Sequence, residues 1–441
     1  MIRQLFLLIF LSCITCHPSF SFATEVQEVT SPGGIKAWLV EEHALPLVAV
    51  KMVFKDAGSA YDPPGKEGLA GMTAAMLLEG AGDLDSHAFN EQMENNAIRL
   101  NFGTDDDLFH ASVESLSEHK DKAFSYLAMA LTKPRFDDSA IERVRAQTLS
   151  ILKQEEQEPN YILRRAWEKL AFGSHPYGKP SLGTKDSIAA IGKDDLTRFA
   201  QHYLSKENML ISVVGDVTPA ELGHLLDENF AGLSAHYTPD VKLENVRLPE
   251  KSQQLVTDYA VPQTTVLFGE NGLKRSDPDY YAAYVMNQII GGGGALTSKL
   301  GIEIRQKRGL AYSMNSQLEP MMYSAAWVGE FATRNEKVGA AMQVLRDTLH
   351  DFVQAGPTDQ EMADAKKHLV GSFILSLDSN GDIANFLISM QLHHLGRDYF
   401  DKRNGLIMAV KKDEVKAIAK KLVGPDHLLV VMVGKPNLEV K

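Results

Sequence analysis

An internal repeat constrains the fold of this 441-residue chain more than any other feature of its sequence. Residues 188–216 read IAAIGKDDLTRFAQHYLSKENMLISVVGD, and residues 407–435 read IMAVKKDEVKAIAKKLVGPDHLLVVMVGK. The two segments align without a gap, because Gly215 and Gly434 are separated by the same 219 positions (434 − 215) as Ile188 and Ile407. Similarity at one constant offset indicates two copies of one fold unit.

Each copy of the repeat predicts a helix followed by a strand. A pair of acidic residues opens an amphipathic stretch, as is typical of the start of a helix. A polar turn follows, and a β-branched run then ends in Val-Gly at Gly215 and at Gly434. Runs of this kind favour a buried strand.

The earlier part of each copy predicts strands that are neighbours along the chain. Apolar alternation marks residues 47–54 in the first copy and residues 253–268 in the second. Residues 98–102 and 108–113 form a hairpin-like pair around the turn residues 103–105. Because long helical runs follow these strands, we expect an α+β fold with helices covering one face of a mainly antiparallel sheet.

The repeat and the composition divide the chain into four parts. With 44% hydrophobic residues, a chain of this length can bury more than one core. We expect an export signal at residues 1–23, a first lobe at residues 24–233 and a second lobe at residues 253–441. Residues 234–252 are polar and interrupted by two prolines, so they are predicted to be the linker.

The first residues have the three parts of a secretory signal. Arg3 supplies the charge, residues 5–11 are apolar, and residues 21–23 form a small-x-small cleavage site. Cys13 and Cys16, the only cysteines, fall in this segment, so the mature chain has no thiol, which suits an oxidising periplasm. We therefore expect an exported, periplasmic protein. Lipid anchoring at Cys16 is the weaker alternative, because the residues before it fit a lipobox poorly.

Charge and hydropathy exclude two classes of partner. The formal net charge is −12, and it becomes −13 when the signal and its Arg3 are removed. No stripe rich in Lys and Arg could neutralise phosphates, so we expect no nucleic-acid binding. No stretch after the signal approaches the roughly 20 apolar residues of a spanning helix, so we expect no transmembrane segment.

Residues 291–313 carry a longer motif, GGGGALTSKLGIEIRQKRGLAYS. This segment resembles the substrate-holding segment of the insulinase/pitrilysin zinc peptidases, in the branch that includes the mitochondrial processing peptidases. The resemblance covers essentially the whole mature chain. It implies two homologous lobes, each a mainly antiparallel sheet covered by helices, that close like a clamshell on a peptide.

The resemblance implies roles for Arg305 and Tyr312. In the family, the corresponding Tyr hydroxyl hydrogen-bonds the tetrahedral intermediate, and the corresponding Arg holds a substrate carbonyl. A phenol and a guanidinium are donors that can be fixed where oxyanion charge develops. Without the surrounding motif, the pair would be an ordinary surface arginine and a half-buried tyrosine. Gly309 between them predicts a break in the helix.

The glycine run consists of Gly291, Gly292, Gly293 and Gly294. Its spacing fits neither a P-loop nor a dinucleotide-binding loop, so we expect no nucleotide. In the processing peptidases a glycine-rich loop of the non-catalytic subunit contacts the incoming peptide, and the resemblance implies a similar substrate-binding role here. A plain structural turn is the alternative.

The zinc-binding half of the family's site is missing from this chain. The resemblance places H-x-x-E-H where residues 71–75 read GMTAA, and the stretch aligned with the third ligand, residues 150–154, carries no carboxylate. The 14 histidines include no H-x-x-E-H or H-E-x-x-H. Because a catalytic zinc needs about three protein ligands, we expect this chain to bind no metal. Residues 68–78 are instead predicted to form an apolar core helix.

Two hypotheses about function follow. In the first, the chain is the non-catalytic, substrate-binding subunit of a heterodimeric zinc endopeptidase. A homologous partner supplies H-x-x-E-H and zinc, and this chain supplies Arg305 and Tyr312. In the alternative, it is a catalytically inactive structural or scaffold protein. Retention of the Arg/Tyr pair favours the first hypothesis, and a self-sufficient peptidase would need ligands that the sequence does not contain.

Overall fold

The computed structural model describes residues 25–294 and 296–439, so the expected signal segment lies outside it. In this part of the chain, no helix has both the length and the apolar character needed to cross a membrane. The strands are β1 (Gln27–Thr30), β2 (Lys36–Glu41), β3 (Leu47–Lys55), β4 (Gly80–Ala81), β5 (Leu84–Asp85), β6 (Arg99–Thr104), β7 (Leu108–Leu116), β8 (Met209–Gly215), β9 (Gln253–Asp258), β10 (Gln263–Asn271), β11 (Ala311–Pro320), β12 (Ala325–Arg334) and β13 (Leu429–Gly434).

The α-helices are α1 (Leu69–Met76), α2 (Ser86–Asn95), α3 (Lys120–Thr132), α4 (Asp138–Glu155), α5 (Pro159–Phe172), α6 (Lys185–Ala190), α7 (Lys193–Tyr203), α8 (Pro219–Phe230), α9 (Tyr280–Asn287), α10 (Val338–Ala355), α11 (Asp359–Leu375), α12 (Asn380–Leu392), α13 (Tyr399–Ala409) and α14 (Lys412–Leu422). Two π-helical segments, Gln288–Gly292 and Gly301–Gln306, follow α9.

The strands form two large sheets of closely related topology. The first sheet has the order β1-β2-β8-β3-β7-β6, and among these described strands β2 and β8 pair in parallel and the others antiparallel. The second sheet has the order β11-β12-β10-β13-β9, and of the strand pairs that the structure describes here, β13 with β9 is parallel and the others are antiparallel. The predicted α+β fold with mainly antiparallel sheets is confirmed.

The helix-then-strand unit of the repeat is present in both copies. Helix α7 leads to β8, and α14 leads to β13. The predicted acidic openings cap both helices, because Asp195 accepts from Gly192 N and Glu414 from Lys411 N, each at 2.8 Å. Strands β8 and β13 lie inside their sheets, which explains their nearly continuous apolar sequence.

One helix from each half of the chain packs on the sheet of the other half. Helix α5 packs on β13 and β10 of the second sheet, and α12 packs on β8 and β3 of the first sheet. Trp167 of α5 shares a core cluster with Val431, and Leu387 of α12 shares one with Val214. Gln391 Nε2 also donates to Ile211 O at 3.0 Å. The lobes are therefore joined by two reciprocal helix contacts.

Two strand boundaries differ from the sequence prediction. Strand β6 runs through Thr104, and the turn lies at residues 105–107, where Asp105 Oδ1 accepts from Asp107 N (2.8 Å) and Leu108 N (2.7 Å). The alternating stretch 253–268 is not one strand but β9 and β10. Pro262 lies between them, and a proline cannot donate to a ladder.

Candidate functional site

Helix α1 occupies the place where the family resemblance puts the metal motif. The carboxylate of buried Asp62 accepts hydrogen bonds from Gly68 N (2.7 Å) and Ala70 N (2.9 Å). Burial raises the pKa of Asp62 to about 8, against the opposing effect of these bonds. These contacts fix the start of α1 and therefore the directions in which residues 71–75 point.

The side chains of α1 divide into a buried face and an open face. Ala74 is 4% exposed and packs in the core. Gly71 and Ala75, one turn apart on the same face, are exposed and line a cavity of about 520 Å³. The prediction of a core helix is confirmed for Ala74 but is wrong for Gly71 and Ala75, because one stripe of this helix faces the cavity instead of the core.

The other walls of this cavity come from α4 and α5. Thr148 and Ile151 of α4 face Arg164 and Glu168 of α5 across it. Ile151 belongs to the stretch aligned with the family's third metal ligand, and it is 45% exposed. Where two imidazoles and a carboxylate are expected from the family, the cavity presents a glycine, an alanine and an isoleucine, none of which can bind a metal.

The carboxylates around the cavity are engaged with the protein itself. Asp106 accepts from Ser59 Oγ at 3.1 Å, and Glu168 pairs with Arg165. Burial raises the pKa of both Asp106 and Glu168. Across residues 25–294 and 296–439, no group of three or more His, Cys, Asp or Glu side chains is arranged to hold a metal ion. The residues present therefore do not fit a catalytic zinc.

A second cavity, of about 440 Å³, continues the first cavity toward the second sheet. Both are lined by Asp106, Arg164 and Glu168, so together they form one inter-lobe groove. Glu319 of β11 and Glu330 of β12 lie on its far wall, where burial raises the pKa of each. A ligand lying along this groove would touch both lobes.

Arg305 and Tyr312 are in direct contact. Arg305 lies in the π-helical segment before Gly309, whose φ of 59° ends the helix as predicted, and Tyr312 is the second residue of β11. The guanidinium carbon of Arg305 lies 4.7 Å from the centroid of the Tyr312 ring, in a cation–π arrangement. The Tyr312 side chain is nevertheless 82% exposed. The contact orients the ring and leaves it open to a ligand or a partner.

A β-bulge sets the direction of Tyr312. Ala311 pairs with Thr333 and Met314 with Phe331, so β11 has one extra residue between them. Because Ala311 and Met314 both pack in the second core, Tyr312 is turned to the opposite face of the sheet. This is the face on which Glu319 lines the inter-lobe groove.

The glycine run meets two different constraints. A Cβ at Gly291 would lie 2.3 Å from Ser316 Oγ and 2.8 Å from Ser316 N, so this position is filled by close helix–strand packing. Gly294 has a φ of 72°, and among the described residues no atom lies within 4 Å of the position that its Cβ would take. Packing therefore accounts for Gly291, whereas Gly294 is open toward its surroundings.

The tip of the β11–β12 hairpin, residues 321–324, docks on the first lobe. Tyr323 OH donates to Asp56 Oδ1 at 2.9 Å, and Met322 N donates to Asp107 Oδ2 at 3.1 Å. Tyr177 OH donates to Asp107 Oδ1 and accepts from Tyr323 N at 3.1 Å. Burial raises the pKa of Asp107 to about 6. We call this contact the hairpin latch.

Sequence reasoning missed the residues on which the two halves meet. Arg164 and Glu168 of α5 have the spacing of a helical ion pair, and their charged atoms lie 3.8 Å apart. That spacing is common on solvent-exposed helices, so it does not predict a groove. Asp107 and Tyr323 belong to different lobes, so no local pattern could join them.

The fold and the site together define a two-lobed, metallopeptidase-like protein whose metal-binding positions are blank. Residues 39–185 match the family model described as Insulinase (Peptidase family M16), and residues 190–369 match the model described as Peptidase M16 inactive domain. The chain is 31% identical over 346 residues to the non-peptidase homolog YmxG of Helicobacter pylori, covering 75% of this chain and 76% of that protein. The chain therefore belongs to the insulinase, or M16, peptidase family, as the resemblance predicts.

Other relatives extend the same similarity. The chain is 26% identical over 386 residues to the mitochondrial-processing peptidase subunit beta of Lentinula edodes, covering 84% of this chain and 81% of that one. A crystal structure of a peptidase M16 inactive domain from Pseudomonas fluorescens superposes with a TM-score of 0.86 at 29% identity, covering 94% and 99% of the two chains. The periplasmic protease PqqL of Escherichia coli shares the fold, with a TM-score of 0.79 at 15% identity, over 99% of this chain and 49% of that one.

Proposed function

We propose that this chain is a catalytically inactive M16-family protein that acts as the substrate-binding subunit of a heterodimeric zinc endopeptidase. The observation that carries the proposal is a contrast within one site. The positions for metal and base are blank, whereas Arg305 and Tyr312 are both present and in contact, with Arg305 partly exposed and Tyr312 exposed. A homologous partner with H-x-x-E-H supplies zinc and the general base, and this chain supplies two hydrogen-bond donors.

The chemistry assigned to the pair is electrostatic. A zinc ion held by the partner would supply an activated water, and negative charge would develop on the carbonyl oxygen of a peptide substrate attacked by that water. The Tyr312 hydroxyl would donate to that oxygen, and Arg305 would donate to a substrate carbonyl. Donors held in place before the reaction lower the barrier, because they need no reorganisation as the charge forms. The 82% exposure of Tyr312 suits a role across a subunit interface.

The inter-lobe groove and Gly294 support the peptide-holding part of the proposal. The groove reaches from α1 to β11 and β12, so an extended peptide in it would be held by both lobes. Gly294 leaves room for a close approach of peptide backbone. The name of one relative, a non-peptidase homolog, agrees with an inactive chain, and the name of another, a processing-peptidase subunit, agrees with action as part of a larger enzyme. We place the mature protein in the periplasm.

The proposal is tested by co-expressing the chain with an H-x-x-E-H homologue from the same genome and assaying peptide cleavage by the co-eluting complex. Tyr312→Phe should lower kcat by roughly 100- to 1,000-fold with the complex intact, because it deletes one oxyanion donor. Arg305→Ala should also raise KM, because a ground-state contact is lost. Tyr126→Phe, which removes a hydroxyl bonded to Gln92 on the first lobe, is the matched control.

Three results would decide against this role. Wild-type kinetics in both variants would leave the chain a structural component of the complex. Failure to pair with any H-x-x-E-H homologue would favour the alternative of an inactive scaffold. One tightly held zinc per isolated chain, with cleavage of peptide, would contradict inactivity itself.

A further inference from the structure

The two sheets differ at one edge. The strands of the first sheet from β2 to β6 pair in the same pattern as the strands of the second sheet from β9 to β11. Both series begin with a parallel pair. In the first sheet, β1 adds one more strand outside β2. Among the described residues the second sheet has no counterpart of β1, so β9 is its outermost strand. One strand position of the repeat is therefore vacant.

The outer side of β9 carries free backbone groups. Tyr259 N, directly after β9, donates to Gly434 O at 3.1 Å, so the groups of residue 259 face β13. Because successive residues of a strand point their backbone groups to alternate sides, Thr257 and Leu255 also face β13. Gln254, Val256 and Asp258 then present their N–H and C=O groups outward, where no other described strand pairs with them.

The β9 edge lacks the usual protection against pairing with another strand. The strand QQLVTD contains no proline, lysine or arginine, and Leu255 and Val256 are each 40% exposed. Its one charged residue, Asp258, lies 3.7 Å from Lys435. By contrast, the outer strand of the first sheet, β1, is only four residues long and carries Glu28.

We propose that β9 of a second copy of this chain fills the vacant position as an antiparallel strand. Pairing through the outward groups places Val256 opposite Val256 of the second copy, on the two-fold axis. Gln254 is then opposite Asp258, and Leu255 is opposite Thr257, so no like charges meet. Each β9 strand then pairs with the other, so both outer edges are hydrogen-bonded and the dimer is closed.

A second copy is the occupant because the edge is complementary to itself. An arbitrary extended segment would have to match the outward groups and also avoid unfavourable side-chain pairs. The β9 sequence already does both when it meets its own copy. The β9 edge is also opposite to the edge formed by β11, which carries Tyr312. The dimer therefore goes beyond the proposed heterodimer and neither requires it nor blocks it.

The register is tested by single cysteines, since the only natural ones, Cys13 and Cys16, are absent from a chain expressed from residue 24. Directly opposite residues of a hydrogen-bonded antiparallel pair have Cα atoms about 5.5 Å apart, within disulfide range. Val256→Cys should therefore give at least roughly tenfold more disulfide-linked dimer than the matched control Leu255→Cys, which faces Thr257. Equal cross-linking of the two variants would overturn the register.

The dimer is tested by Val256→Pro. Proline at this position removes only an outward N–H, so pairing of β9 with β13 and the fold should survive. Sedimentation should show a dimer for the wild-type chain at micromolar concentration and a monomer for the variant, with an unchanged circular dichroism spectrum. A monomeric wild-type chain, or a variant that still dimerises, would overturn the proposal. So would amide protection of β9 that requires an added peptide or homologue.

Discussion

Gly291 and Gly294 are neighbours in one glycine run, but different physical effects require a glycine at each. At Gly291 the limit is space, because Ser316 of β11 occupies the volume of a side chain. At Gly294 the limit is the backbone, whose φ of 72° lies in the left-handed region that other residues avoid. A loss of ligand binding could therefore be distinguished from a packing defect more easily at Gly294 than at Gly291.

Alanine substitutions should separate these two effects. Gly291→Ala should lower the free energy of unfolding by about 1–3 kcal/mol, because the new Cβ overlaps backbone atoms of Ser316. Gly294→Ala should cost about 1–2 kcal/mol through its positive φ alone. Gly371→Ala, at an open position within α11, should stabilise the protein by about 0.5–1 kcal/mol. Urea unfolding measures all three, and a destabilisation by Gly371→Ala as large as that at Gly291 and Gly294 would contradict this account.

At the residue scale, features that lie within one continuous segment could be predicted from the sequence. Features that depend on contacts between distant segments could not. Arg305 and Tyr312 are recognisable because they lie in one continuous motif, and the blank metal positions are recognisable for the same reason. The bulge that turns Tyr312 to the groove side depends on pairing with β12, which no single segment encodes. The groove residues Arg164 and Glu319 come from different lobes, so their proximity needs the folded chain.

Helix α1 packs in the core on only part of its surface. Ala74 fills space in the core, but Gly71 and Ala75 leave an open cavity where ligands to a metal would stand. Small residues at the open positions preserve the cavity without leaving unpaired imidazoles or a carboxylate in it. The helix therefore borders an open cavity that carries none of the family's metal-binding groups.

Matched glutamine substitutions should distinguish the two faces of α1. Ala74→Gln should lower the free energy of unfolding by at least about 2 kcal/mol, because a buried amide is inserted without partners or space. Ala75→Gln, one residue further, should change it by less than about 0.5 kcal/mol, because the side chain enters the open cavity. Thermal or urea unfolding gives both values. Similar destabilisation by the two variants would mean that the cavity is closed in solution.

At the element scale, prediction succeeds where local signals agree. The α7–β8 and α14–β13 units are predictable because the acidic caps, the helical period and the β-branched run all point the same way. The turn after β6 is misplaced because Asp105 stabilises it through side-chain bonds that outweigh the preference of Gly103 for a turn. The boundary between β9 and β10 is missed because apolar alternation continues up to Pro262.

The hairpin latch couples the two lobes to a titrating carboxylate. Asp107 is 7% exposed and joins Tyr177 of the first lobe to Met322 of the second. Burial raises its pKa from 3.8 to about 6. An acid whose pKa is raised on folding binds its proton more tightly in the folded state, so its contribution to stability is full below pH 3.8 and is lost as the pH rises through 6.

Asp107→Asn should therefore reduce the pH dependence of stability between about pH 4 and 6.5. Over that range the free energy of unfolding of the wild-type chain should fall by roughly 2–3 kcal/mol more than that of the variant. Urea titrations at several pH values measure the difference. Asp121→Asn, at an exposed position on α3, should keep the wild-type profile. An Asp107→Asn profile parallel to the wild-type one would exclude titration of the latch.

The reciprocal packing of α5 and α12 bears on how such a molecule arises. Residue 159, where α5 begins, shifted by the repeat offset falls at residue 378, next to the start of α12. The exchanged helices are thus equivalent parts of the two copies, and the arrangement is that of a domain-swapped dimer whose chains have been fused. An unfused ancestor would have met its partner at a rate set by cellular concentration, whereas the connected chain carries that partner permanently at high effective concentration.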